Sequence, residues 1–181
     1  MSGAATLRIR PATIDDARQI AEVHVGSWRH AYRGMLPDAV LDRRSADDRE
    51  GTWRAAFADE RTGALVAEDD GRIVGFTSFG PSRDGDASER TAEILTIYVE
   101  PSTMGRGIGR ELLAAASASL QDRGFERATL WVLEANERAR RFYEREGWRW
   151  DGTVDRHDVE CANEPVVRYT VELERRPPPT G

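Results

Sequence analysis

The sequence predicts one mixed α/β domain, a sheet carrying helices on both faces. Three observations predict it. Apolar residues recur at a spacing of two in some stretches and of three to four in others, the signatures of half-buried strands and amphipathic helices. These stretches follow the order strand, helices, three strands, helix, strand, helix, two strands, so that a helix twice connects two strands expected to be neighbours. A length of 181 residues with five tryptophans fills one core and is short for two. The domain is expected to span residues 1–173, with the tail 174–181, which holds Pro177, Pro178 and Pro179, expected to be disordered.

Leu7 and Ile9 alternate with Arg8 and Arg10 as a first strand stopped by Pro11. A helix is expected from Thr13, which can cap it with Asp16 three residues on, and Ala17, Ile20, Ala21, His24, Trp28 and Ala31 would form its packed face. Gly34 and Pro37 break it. Short helices are expected over 38–41 and 45–58, then strands over 64–68 and 72–79 joined by a tight turn at Asp69, Asp70 and Gly71. Residues 80–90 read as a solvent loop whose length permits mobility. The strongest strand is 92–99, and a helix opening at Gly107 or Gly109 repeats Ile108, Leu112, Leu113, Ala116 and Leu120 until Gly124. A strand over 128–133, a short helix over 136–146 stopped by Gly147, and strands over 148–150 and 166–173 complete the chain.

A net charge of −6 argues against a nucleic-acid binder, which would carry a basic stripe against phosphates. Cys161, the single cysteine, excludes an internal disulfide and a multi-thiolate metal site, and with His24, His30 and His157 scattered no metal is expected. No secretory signal is read in the first ten residues, and no stretch reaches the roughly 18 apolar residues of a membrane span. A cytoplasmic protein is the expectation.

Gly105, Gly107 and Gly109 stand alternately between the strand ending at Val99 and the helix that follows. Without side chains there, backbone amides can approach a phosphate closely, and the helix start adds free N–H groups. Arg106 and Arg110 could add charge, against a pyrophosphate and a ribose phosphate. Glycines serving turn geometry alone give the same pattern. A Walker loop would end in Gly-Lys-Ser or Gly-Lys-Thr, which is missing, and the dinucleotide fingerprint has a different glycine spacing.

The run Ile97-Tyr98-Val99-Glu100-Pro101-Ser102-Thr103-Met104-Gly105-Arg106-Gly107-Ile108-Gly109-Arg110 resembles the acetyl-coenzyme A signature of the GNAT (GCN5-related N-acetyltransferase) superfamily, Gln or Arg, two residues, Gly, one residue, Gly or Ala. Gly107 and Gly109 match its glycines, while Met104 stands where Gln or Arg is usual. A second block, from Leu130 through Asn136 to Phe142-Tyr143 and Gly147-Trp148, resembles the family's later motif. The resemblance implies the acyl-CoA N-acyltransferase fold with a mostly antiparallel sheet, and transfer of acetyl from acetyl-CoA to a primary amine of a small molecule or peptide.

By the same resemblance, Tyr143 would protonate the leaving thiolate and Glu93, an acid in an apolar strand, would be the base, directly or through water. The cofactor would be held by Ile97, Tyr98, Val99, Met104, Gly105, Arg106, Gly107, Ile108, Gly109, Arg110, Asn136, Arg138, Ala139 and Phe142. Trp28, Tyr32 and Met35 would wall the acceptor pocket. Each has a plainer role beside this one: Tyr143 and Trp28 as packing, Asn136 as a helix cap, Glu93 as a surface acid. Cys161 is not expected to act as a nucleophile, since attack is direct. A non-catalytic acyl-CoA binding module and a partner-binding domain on the same fold are the rival readings, and monomer and homodimer stay equally open.

Overall fold

The computed structural model describes residues 7–159 and 162–173, so Cys161 and the proline-rich tail lie outside the described residues. Among the described residues seven strands form one sheet: β1 (Arg8–Pro11), β2 (Gly63–Asp69), β3 (Arg72–Pro81), β4 (Thr91–Val99), β5 (Arg127–Leu133), β6 (Arg149–Val159) and β7 (Ala162–Glu172). Five helices accompany them: α1 (Ala17–Tyr32), α2 (Asp38–Leu41), α3 (Ala46–Ala56), α4 (Ile108–Asp122) and α5 (Glu137–Arg145). The strands lie in the order β1-β2-β3-β4-β5-β7-β6, antiparallel except for β4 and β5. The expected mixed, mostly antiparallel sheet is the one observed.

Both faces are covered, as the two helical periodicities require. On one, Leu112, Ala116 and Leu120 of α4 pack with Ile94, Leu130 and Val167, and α5 adds Tyr143. On the other, Ile20, Ala21 and Trp53 of α1 and α3 pack with Val66, Ile73 and Phe76. Burial of each large aliphatic side chain contributes about 1.5–3 kcal/mol, which is what fixes the alternation of every central strand between the two faces. At Gly75 a Cβ would stand 3.1 Å from Leu112 Cδ1 and 3.1 Å from the Tyr98 carbonyl. The missing side chain therefore lets the start of α4 lie close on β3.

Four expectations need correction. First, of the two single-helix connections only α4 joins neighbouring strands; α5 leads from β5 to β6, and β7 inserts between them. Second, β6 and β7 are far longer than 148–150 and 166–173, because β6 is an edge strand whose exposed Asp151, Val154 and Asp155 carry no clean apolar alternation. Third, the first helix is entered through a 3-10 turn, Ile14–Asp16, although the expected Thr13 and Asp16 capping box does form, with Asp16 accepting from the Thr13 N–H at 2.7 Å and from Arg10.

Fourth, the loop after β3 is pinned and not simply solvated. Arg83 pairs with Glu93 at 2.8 Å, and Asp84 accepts from the Trp131 indole at 2.9 Å. Arg168, with only 12% of its side chain exposed, gathers Asp84, Asp86 and Asp151 within 3.1 Å. Three carboxylates around one guanidinium hold the loop against β5, β6 and β7, a match that composition alone does not reveal.

Candidate active site

The parallel ladder between β4 and β5 has three rungs, Thr91 with Arg127, Ala92 with Ala128 and Glu93 with Thr129. Beyond Glu93 the two strands part, although β4 runs on to Val99 beside β3 and β5 runs on to Leu133 beside β7. The result is an opening between adjacent strands in mid-sheet, with one edge of β4 left unladdered along its second half. Backbone groups on such an edge are available to an extended ligand.

The opening leads to the glycine turn. Glu100 donates its N–H to the Val74 carbonyl at 2.8 Å, Pro101–Thr103 forms a 3-10 turn, and α4 starts at Ile108 with Gly107 as its N-cap. Gly105 and Gly107 have φ of 84° and 81°, the left-handed region, and nothing lies within 4 Å of where their Cβ atoms would be. No side chain caps α4, so its first amides face open ground. Gly109 differs: a Cβ there would stand 3.4 Å from the Phe142 ring of α5, in ordinary van der Waals contact. Ile108 is likewise core, 1% exposed, and offers a ligand only its amide.

Three arginines surround the turn. Arg106 donates to Asp69 at 2.7 Å, Arg110 to Glu146 at 3.1 Å, and Arg138, in the first turn of α5, to the Met104 sulfur at 3.0 Å. Asn136 caps α5 by accepting from the Ala139 N–H at 3.1 Å, and Ala139 packs partly buried against the core.

Tyr143 is 8% exposed, with its ring 5.2 Å from Phe142 and 6.2 Å from Tyr169. It belongs to the α4 side of the sheet, as do Ile97 and Val99 of β4. Tyr98, between those two, faces the α1 side, where its hydroxyl lies 3.4 Å from that of Tyr32. Burial pushes all three phenols up from their ordinary range, and Tyr32 raises Tyr98 and Tyr143 further. Each stays protonated near neutrality and is fitted to give a hydrogen bond. Tyr98 and Tyr32 thus lie on one face of the sheet and Tyr143 on the other, with Tyr98 on the strand that borders the opening.

Beneath Tyr98 the ring of His24 stacks at 5.1 Å. Burial, with Arg44 and then Arg49 as further causes, drives this imidazole down to about 3. The Trp53 indole approaches Nδ1 at 3.3 Å and the Arg44 guanidinium approaches Nε2 at 3.3 Å. Both neighbours only donate, and a neutral ring has one acceptor nitrogen, so it satisfies one of them. His24 is a neutral packing group, as read from the helix face.

Glu93 is 3% exposed and sits at the last rung of the parallel ladder. Its carboxylate accepts from Arg83 three times, from the backbone N–H at 3.2 Å and from the guanidinium at 3.1 and 2.8 Å. Proton removal by Glu93 has to compete with that ion pair. Because Ala92 and Ile94 point into the α4 core, Glu93 faces the α1 side with Tyr98.

On the acceptor side the structure divides the expected residues. Trp28 is core, 1% exposed and packed with Leu41, Leu133 and Val166, so it presents no face to a ligand. Tyr32 reaches the opening, and Met35 lines a cavity of about 200 Å³ with Leu133, Glu134, Ala135, Glu164 and Pro165. Those five, and the pairing of Tyr32 with Tyr98, escaped the sequence reading. They converge from α1, β4, β7 and the end of β5 with the turn that follows it.

A model of the acetyltransferase (GNAT) family matches residues 24–148. The chain belongs to this family. The matched span starts within α1 and ends just after α5, so it contains the opening, the turn and Tyr143. Among its GNAT relatives is the Bacillus subtilis N-acetyltransferase YuaI, 34% identical over 71% of this chain and 72% of that one. A probable N-acetyltransferase of Mycobacterium tuberculosis is 30% identical over 96% of this chain and 97% of its own. The PaiA N-acetyltransferase of Thermoplasma acidophilum, solved in complex with coenzyme A, shares the GNAT fold with a TM-score of 0.71 at 20% identity, covering 90% of this chain and 98% of that one. Among the described residues no helix is long and apolar enough to cross a membrane.

Proposed function

We propose that the chain transfers the acetyl group of acetyl-CoA to a primary amine of a small molecule or peptide by direct attack on the thioester. The observation that carries this is the opening between β4 and β5, bordered by Tyr98 with Tyr32 and leading to the open-faced glycine turn, with Tyr143 on the opposite face of the sheet. Amides at Gly105, Gly107 and the start of α4 hold the pyrophosphate. The unladdered edge of β4 from Ile97 to Val99, where the Val99 carbonyl also accepts from the Ser27 hydroxyl at 3.0 Å, holds the pantetheine arm against Asn136 and Phe142. That PaiA binds coenzyme A on the same fold supports the assignment.

The amine nitrogen attacks the thioester carbon, the carbon–sulfur bond breaks, and sulfur leaves as a thiolate that takes the Tyr143 proton. The amine proton passes to Glu93, directly or through water. The products are the amide and free coenzyme A. Tyr32 and the cavity beside Met35 receive the acceptor from the α1 face.

The rival, a non-catalytic acyl-CoA binder, draws on the engagement of Glu93 by Arg83. Amine-dependent release of free coenzyme A over an amine panel decides between the two: release supports transfer, and binding without release supports the rival. In the same assay Glu93→Gln is expected to keep acetyl-CoA affinity and to lose turnover chiefly at pH values where the acceptor is protonated, by about 10²- to 10⁴-fold. Arg83→Gln removes the same ion pair while keeping the carboxylate. Equal losses in both variants at every pH would make Glu93 a structural acid.

A further inference from the structure

The glycine turn supplies amides to an anion, but the side chains around it are unequal in what they can add. Arg106 pairs with Asp69 and Arg110 with Glu146, each a carboxylate with which a phosphate would have to compete. Met104, next to the first open glycine, is apolar. Arg138 comes to this spot from α5, 34 residues along the chain, and lays its Nη2 3.0 Å from the Met104 sulfur.

A thioether is a weak acceptor and carries no charge, so Arg138 is the one cation of the three that can turn to a phosphate without abandoning a carboxylate. Its approach is built into the packing. Phe142, one turn further along α5, lies 3.4 Å from where a Cβ on Gly109 would stand, which places α5 near the start of α4. The Asn136 cap sets the first turn of α5, and with it the direction in which Arg138 leaves the helix.

Resting on the acetyl-CoA reading of the turn, we infer that Arg138 is the side chain that binds the coenzyme A pyrophosphate, delivered across the turn to the place where Met104 offers no polar group. Arg106 and Arg110 are then structural, tying the β2–β3 turn and the end of α5 to the two ends of the glycine segment.

Calorimetric titration of the full chain with acetyl-CoA and with acetyl-3′-dephospho-CoA tests this. Arg138→Ala is expected to weaken both ligands by about 10- to 100-fold, the loss of a charge-assisted contact, while Arg106→Ala and Arg110→Ala lose about fivefold or less. Met104→Arg in the Arg138→Ala background is expected to restore most of the affinity. Unfolding midpoints matching the parent show that Arg138→Ala is folded. Parent-like affinity in Arg138→Ala, a larger loss in Arg106→Ala or Arg110→Ala, or a loss seen with acetyl-CoA and absent with the dephospho ligand would each overturn the assignment. A parent that binds neither ligand would overturn the acetyl-CoA reading along with it.

Discussion

Gly107→Leu is expected to weaken acetyl-CoA binding by at least about 100-fold while the chain stays folded, because one backbone position serves both the turn and the ligand. Gly107 sits at φ 81°, so any side chain there bears the left-handed strain of about 1–2 kcal/mol. Nothing of the protein lies within 4 Å of the added Cβ, so no core contact is lost. The new side chain instead fills the ground that the phosphate needs, and it stands between that phosphate and the first amides of α4. Charge-assisted hydrogen bonds of this kind contribute about 1.5–3 kcal/mol each, and losing two accounts for the expected factor. Gly152→Leu separates strain from occlusion, since Gly152 has φ 91°, the same open surroundings and a place on β6 away from the turn. Calorimetry on both variants is the measurement. Equal affinity in Gly107→Leu and the parent would remove the turn from the cofactor site.

Tyr143→Phe is expected to slow acetyl transfer by about 10- to 1000-fold in single-turnover experiments with saturating amine, at nearly unchanged acetyl-CoA affinity. The ring is packed against Phe142, Trp148 and Tyr169, so the isosteric change keeps the core and removes one proton donor. Burial keeps this phenol protonated and makes it a weaker acid, so it is present as a hydrogen-bond donor to the leaving sulfur and gives up its proton less readily than a free phenol. The loss stays partial because a thiolate is already a fair leaving group near neutrality. Single-turnover rates isolate the chemical step from product release. Identical rates in Tyr143→Phe and the parent would leave the residue with packing alone.

What the sequence made legible was local. Strand, left-handed glycine, helix start and Asn cap each depend on a few consecutive residues, and so the segment from Val99 to α4 and the start of α5 read correctly. Distant convergence was not legible. The Tyr32 and Tyr98 hydroxyls are 66 residues apart, and the Arg168 cluster reaches 84 residues back to Asp84. No periodicity encodes that β7 lies between β5 and β6, because strand order follows from which edges pair and not from what one strand buries. Trp28 and Tyr32 read alike as aromatics at the end of a helix. Packing of α2 over Trp28 sends the first into the core and leaves the second at the opening.

The central claim is that this chain moves an acetyl group to an amine with no acyl-enzyme intermediate. Its most direct test is a single turnover with acetyl-labelled acetyl-CoA and pooled primary amines, the pool and the intact chain both read by mass. All 26 basic residues are arginine, so no lysine side chain of the protein competes for the label. The account predicts label on one class of amine, free coenzyme A in equal amount and an unmodified chain. Bound acetyl-CoA with unlabelled amines, or label retained on the chain, would contradict it.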